Sequence, residues 1–264
     1  MSLLKKYSLL YILLAAALSC TQLHGIISLD ATPTFLVNRN NLNNASYTIG
    51  TATGSYLMVG FNARNNGGPD TTISLSWSGG TNVLADYSII SNQGTREASI
   101  FVFDLGNVGV GETVTINWDG TTVVNEHVSF LQVSNGSEPG QPLEFISNTQ
   151  TTSTSTSFGT EFTDLPEESL IFTVGTIQNN NRSLQSTTPS SVTGSGSANG
   201  SRTFTYLYDF PSTGGDLNYG FNMSGSTDGS VLSAFAVIPE SSHSSLLFSL
   251  AAVGLVTLRR RRQA

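Results

Sequence analysis

The feature that most constrains this chain is a succession of short apolar runs of period two between Ile26 and Ile238, separated by turn residues. Helical periodicity is nearly absent over the same span. Nine runs read as strands: Tyr56 to Ala63, Thr72 to Trp77, Ala98 to Leu105, Thr113 to Trp118, Val128 to Val133, Leu170 to Ile177, Thr203 to Phe210, Leu217 to Met223 and Val231 to Ile238. Turn clusters stand between them: Asn65-Asn66-Gly67-Gly68-Pro69, Gly79-Gly80, Asp119-Gly120 and Gly214-Gly215. Regular short strands with turns predict an all-β fold, an antiparallel β-sandwich of jelly-roll-like kind.

The runs also resemble one another. At a constant offset of 105 residues, Asp104 meets Asp209, Asn117 meets Asn222 and Phe130 meets Phe235. Ser55 to Gly60 resembles Ser169 to Gly175 at a slightly different offset. This suggests two internally similar halves, 26–145 and 146–238. A half of about four strands exposes an apolar face that it cannot cover alone. Two such faces closing at the usual ~10 Å spacing predict one sandwich rather than two domains. The Thr-rich segment Thr149 to Ser157 is expected to be an exposed strand, and Ser183 to Ser201 a long loop.

Charge narrows the function classes. Between Ile26 and Ile238 there are five arginines, no lysine and 17 acidic residues, a net charge of −12. A surface that grips phosphates needs a basic face, so nucleic acid is not an expected partner. The single cysteine, Cys20, precedes this body, which therefore has neither disulfide nor thiolate chemistry.

The two ends have a different character. Lys5 and Lys6 precede the apolar stretch Leu9 to Leu18, and Ala17-Leu18-Ser19 offers a small-x-small cleavage site. Residues 1–25 thus read as a signal peptide. Ala17-Leu18-Ser19-Cys20 is also similar to a lipobox, which makes Cys20 a candidate for lipidation. At the other end, Pro239-Glu240-Ser241 precedes an apolar segment ending at Leu258, followed by Arg259, Arg260, Arg261 and Arg262. Counted from Ser241, that segment spans ~27 Å as a helix, enough to cross a bilayer. The arginines act as a stop-transfer block that holds the end in the cytoplasm.

This three-part ending, residues 239–264, resembles the PEP-CTERM sorting signal of Gram-negative bacteria, with Ser241 in place of the usual second proline. The resemblance implies an exosortase-type processing enzyme as partner, with cleavage near Pro239, Glu240 and Ser241. It also implies transient anchoring in the inner membrane through the C-terminal helix, then release to the outer envelope, the cell surface or the extracellular matrix. The body is similar to a recurrent bacterial surface module of jelly-roll type. The likeness rests on Leu57 to Gly60, Gly79-Gly80, Ala98 to Ile100 and Val128 to Phe130.

Reactive centres are hard to find in the body. Its one histidine, His127, follows Glu126 on an expected strand, so the two point to opposite faces. There is no Gly-x-Ser-x-Gly elbow and no histidine pair or cysteine cluster for zinc. Asp104, Asp119, Asp209 and Glu126 are the carboxylates that a glycosidase reading would need to pair. Glu167-Glu168 reads as a solvated pair in a turn. Trp77 and Trp118 are either core residues or a sugar platform. Calcium is the one cofactor the loops suggest, at Asn65 to Asp70 or Ser226 to Gly229, without EF-hand spacing. The resulting expectation is a non-catalytic exported surface or matrix protein. The alternatives are a carbohydrate-binding or adhesive module with extracellular polysaccharide as partner, and a polysaccharide-degrading enzyme.

Overall fold

The computed structural model describes residues 26–39, 42–50, 55–65, 71–106, 108–118, 123–136, 142–152, 154–179, 181–200 and 202–239. The leader with Cys20, and the tail from Glu240 with Ser241 and Arg259 to Arg262, lie outside these residues. Among the described residues there are eighteen strands and no helix, and all strand pairs are antiparallel.

Ten strands form the first half. They are β1 (Ile27–Leu29), β2 (Thr34–Asn38), β3 (Asn44–Thr48), β4 (Tyr56–Asn65), β5 (Ile73–Trp77), β6 (Gly80–Leu84), β7 (Tyr87–Gln93), β8 (Arg96–Asp104), β9 (Thr113–Trp118) and β10 (Val123–Asn135). Eight form the second: β11 (Leu143–Thr152), β12 (Ser157–Leu165), β13 (Leu170–Ile177), β14 (Leu184–Thr188), β15 (Gly194–Asn199), β16 (Thr203–Asp209), β17 (Gly215–Met223) and β18 (Ser230–Pro239). The large sheet of the first half runs β1-β10-β4-β8-β7, with β2 also on β10; that of the second runs β11-β18-β13-β16-β15. The small sheets run β3-β9-β5-β6 and β12-β17-β14. The second half therefore repeats the strand order of the first, lacking counterparts only for β2 and β6.

Each half covers its own core with its own small sheet. The first core joins Leu57, Val59 and Phe61 of β4 to Val114, Ile116 and Trp118 of β9. The second joins Ile171, Leu207 and Leu232 to Phe158, Tyr219 and Phe221. A third layer lies between the large sheets, where Met58, Ile100 and Leu131 meet Leu170, Phe172, Val174 and Phe235. The expectation of one sandwich closed by two half-sheets is thus corrected to two sandwiches joined through the backs of their large sheets. The reason is strand number: each half has enough strands to cover one face of its large sheet and leaves the other face apolar.

Edge residues fasten this middle layer from both sides. Phe35 of β2 stacks on Tyr206 of the second half with ring centroids 4.1 Å apart. In return, Phe145 of β11 reaches Tyr56 and Tyr87 of the first half at 5.2 and 4.9 Å. The Asn62 carboxamide donates to the Thr205 carbonyl at 3.1 Å, and the Ser233 hydroxyl to the Ala98 carbonyl at 2.6 Å.

Side-chain facing tests the residue alignment of the halves. On β9 and β17 the offset of 105 holds: Val114, Ile116 and Trp118 face their core as Tyr219, Phe221 and Met223 face theirs. Elsewhere it slips. Phe130 lies in the first core, whereas Phe235 lies between the sandwiches. A slip of one residue moves a side chain to the other face, so these two phenylalanines are not equivalent. The boundary between halves also differs from 145/146, because Leu143, Glu144 and Phe145 already belong to β11. The segment Ser183 to Ser201, expected as a loop, contains β14 and β15. Their sequences, LQSTT and GSGSAN, carry almost no apolar signal.

Candidate functional site

Of the carboxylates of the glycosidase reading, Asp104, Glu126 and Asp209 are not brought together. Asp104 ends β8 beside the start of β4 and is exposed, where it accepts the Gly106 amide at 2.8 Å. Glu126 lies beside the far end of β4 and is buried. Burial raises its carboxyl, an effect tempered by its own backbone N–H and by the Trp118 indole. Asp209 belongs to the second sandwich. It accepts the Tyr219 hydroxyl at 2.9 Å and both the amide and hydroxyl of Thr193 at 3.0 and 3.1 Å. Asp119 lies outside the described residues. Glu167 and Glu168 are both exposed in the turn between β12 and β13.

His127 is a buried interface residue. Its ring stacks on Phe204 of the second sandwich, with centroids 4.5 Å apart, and burial pushes its pKa down to about 4. Glu126 faces the first core instead, so the two adjacent residues share no site. Trp118 packs edge-on against Phe61 at 5.3 Å in that core. Trp77 packs against the same core with Gly80 lying against its ring. Trp118 is buried and Trp77 is partly exposed.

Of the two calcium candidates, Asn66 to Asp70 lie outside the described residues. In Ser226 to Gly229 the Ser226 and Asp228 carbonyls and one Asp228 carboxylate oxygen have donors, while the buried Ser226 and Thr227 hydroxyls have none among the described residues. Arg182 Nε donates to the Ser226 carbonyl at 2.9 Å, Arg96 Nη1 to the Asp228 carbonyl at 3.4 Å, and the Asn179 carboxamide to the Asp228 carboxylate at 2.8 Å.

The site that sequence reading missed is a trough on the outer face of the β12-β17-β14 sheet. Its volume is about 410 Å³. Gly159 and Gly220 face each other across β12 and β17 and form its floor, with Thr188 of β14 opposite Gly220. A Cβ at Gly159 would come within 2.5 Å of the Tyr219 carbonyl oxygen, and one at Gly220 within 2.5 Å of that of Phe158. The two backbones approach too closely for any side chain. One rim is a hydrogen-bonded row. The Ser157 hydroxyl donates to Asn222 Oδ1 at 2.6 Å, and Asn222 Nδ2 donates to the hydroxyls of Ser186 and Thr188 at 3.1 and 3.4 Å. The exposed Asn218 stands on the other rim, and Gln150 of β11 closes one end, its Oε1 accepting the Gly159 amide at 2.6 Å. The one sequence signal was an isolated glycine inside each of two strand runs, which marks close backbone approach.

Among the described residues no helix is long and apolar enough to cross a membrane. No protein-family model matches the chain, and no curated protein matches it in sequence.

Proposed function

We propose that this is a non-catalytic exported protein of the cell surface or extracellular matrix, delivered through its C-terminal tail by an exosortase-type enzyme. The observation that carries the reading is the order of parts in residues 239–264: Pro239-Glu240-Ser241, an apolar segment of membrane-spanning length, and four terminal arginines. The signal peptide of residues 1–25, with Cys20 as a lipidation candidate, agrees with it. The body supports it in two ways. Of the carboxylates that a glycosidase would pair, the exposed Asp104 and the buried Glu126 and Asp209 lie apart. Its last strand, β18, ends at Pro239, paired with Leu143. The processing motif thus starts where the last strand of the body ends. On this reading the double jelly-roll-like body is released or displayed whole.

Mass and location of the mature protein test the proposal. The expected product lacks the leader and ends between Pro239 and Ser241, outside the inner membrane. In a strain without the processing enzyme, or with Glu240→Ala, the tail should persist and hold the chain at the membrane. A wild-type chain that stays in the inner membrane intact through Ala264 sinks the reading.

A further inference from the structure

We infer that the trough over Gly159 and Gly220 binds a short stretch of a neutral polysaccharide.

Two facing positions of this sheet carry no side chain. On a sheet face, rows of side chains stand ~7 Å apart along the strands, and strands lie ~4.8 Å apart. Removing the side chains of two facing residues opens a lane across the sheet between the rows on either side. Here those rows are Ser157–Asn222–Ser186 and Glu161–Asn218. The lane is open over β12 and β17, and the exposed Thr188 stands in the same row on β14, which leaves ~5–10 Å, room for roughly one sugar ring. Its volume of about 410 Å³ falls within the range of sites for small organic ligands. A flat ring can lie directly against the peptide planes of the floor, because no Cβ stands in the way.

The rim fixes the chemistry. It consists of hydroxyls and carboxamides: Ser157, Thr188, Gln150, Asn218 and Asn222. Such groups donate and accept at once, as vicinal sugar hydroxyls require. The Ser157–Asn222–Ser186 row is already held by its own hydrogen bonds, so little side-chain freedom is lost on binding. Gln150 is fixed through its Oε1. No cation lines the trough, Glu161 stands in the neighbouring row, and the body carries a net charge of −12. An anionic polymer would be repelled. Backbone pairing on both sides of β17 excludes strand addition by a peptide at the floor.

The molecule contains its own control. In the first sandwich the corresponding row is Ser46–Thr115–Ser76, and the row beside it is Asn44–Asn117–Ser74. The polar rim is repeated there, with Asn117 where the second sandwich has Asn222. The lane is filled by Ser46 and Thr115.

The test is amide chemical-shift titration of the isotope-labelled full chain with neutral tetrasaccharides of glucose, mannose, galactose and N-acetylglucosamine, and with a galacturonate tetrasaccharide. At least one neutral probe should shift Gly159, Gly220 and Asn218 at millimolar concentration and leave Ser46 and Thr115 unmoved. The double variant Asn218→Ala, Gln150→Ala should weaken binding about tenfold or more, as loss of two rim contacts predicts, and Ser46→Ala should not. The inference is overturned if no neutral probe shifts these amides. It is equally overturned if the galacturonate probe alone does, or if shifts fall on both sandwiches alike. None of these outcomes bears on the export reading, which the mature mass decides separately.

Discussion

The two sandwiches share a strand order and differ in what they do with corresponding positions. Phe103 pairs with Leu57 as Asp209 pairs with Ile171, so where the first core carries Phe103 and Val114 the second carries Asp209 and Tyr219, joined by a hydrogen bond. Where the first places Ser46 opposite Thr115 on its small sheet, the second places Gly159 opposite Gly220. The scaffold tolerates both because strand pairing and the shared middle layer hold the architecture. The positions free to differ are those that this layer does not use.

The middle layer is therefore where substitution should cost most. Phe172 is fully buried there, packed near Phe35 and against the site where a Gly60 side chain would stand. Phe172→Ala should lower stability by about 3–5 kcal/mol. Because the layer belongs to both sandwiches, denaturation should remain a single transition that moves as a whole. Two transitions, with only one displaced, would show that the halves melt separately and would break the comparison at its base.

How much of this was legible in sequence depended on which face each strand buries. TVTINW and TISLSW alternate, and their strands β9 and β5 lie in a small sheet with one wet face. LIFTVGTI barely alternates, and every residue of β13 is buried because both its faces are covered. The contrast between alternating and continuous runs held the layer order in outline, though the two kinds were read alike as strands. Edge strands such as β14 and β15 were illegible because they are polar on both faces and owe their conformation to a neighbour. The trough was illegible for a different reason. It arises from two glycines 61 residues apart that meet only through strand register.

The next largest effect is pH-dependent and again sits between the sandwiches. His127 stacks on Phe204 with its pKa pushed down to about 4 by burial. Above pH ~6.5 the ring is neutral folded or unfolded and contributes no pH dependence. As pH falls from ~6.5 towards 4, the unfolded chain takes up a proton that the folded chain refuses. Stability should then fall by about 1.4 kcal/mol per unit, roughly 3 kcal/mol in all. Asp30 and Glu126 act in the opposite direction, since burial raises both carboxyls and folding then favours their protonated forms as the solution acidifies. The histidine contribution is isolated by comparing wild type with His127→Phe in urea at pH 7.5 and pH 4.5. The variant should lose markedly less stability on acidification, and equal losses would place the sensitivity elsewhere.

A smaller effect separates the outer faces of the small sheets. Gly159→Ala places a methyl group 2.5 Å from the Tyr219 carbonyl oxygen, a contact that only backbone movement can relieve. The cost should be about 1–3 kcal/mol. The matching change Ser46→Ala adds no atoms and should stay within about 0.5 kcal/mol. Urea midpoints of the two variants measure the difference. Similar costs would mean that the strands of the second small sheet can separate slightly, and that the floor of the trough is softer than its geometry implies.

The smallest effect lies in the cores themselves. Tyr219→Phe removes one hydroxyl from a buried ring and leaves Asp209 Oδ2 without its donor, while Thr193 still serves Oδ1. An acceptor stranded in this way should cost about 1–2 kcal/mol. Burial, and then the neighbouring Asp209 charge, hold the Tyr219 hydroxyl well above its usual pKa, so it stays protonated as the donor across the neutral range. The cost should accordingly be constant from pH 6 to pH 9. The double variant Tyr219→Val, Asp209→Phe, which copies the first core, tests whether that bond is a requirement of the fold or a feature of one copy. Because the second core has room for a tyrosine where the first has Val114, the graft replaces one large side chain while adding another at a different place. If it folds with near wild-type stability, the cores are interchangeable at this position. If it collapses, then each core has been packed around its own pair, and only the strand order is held in common.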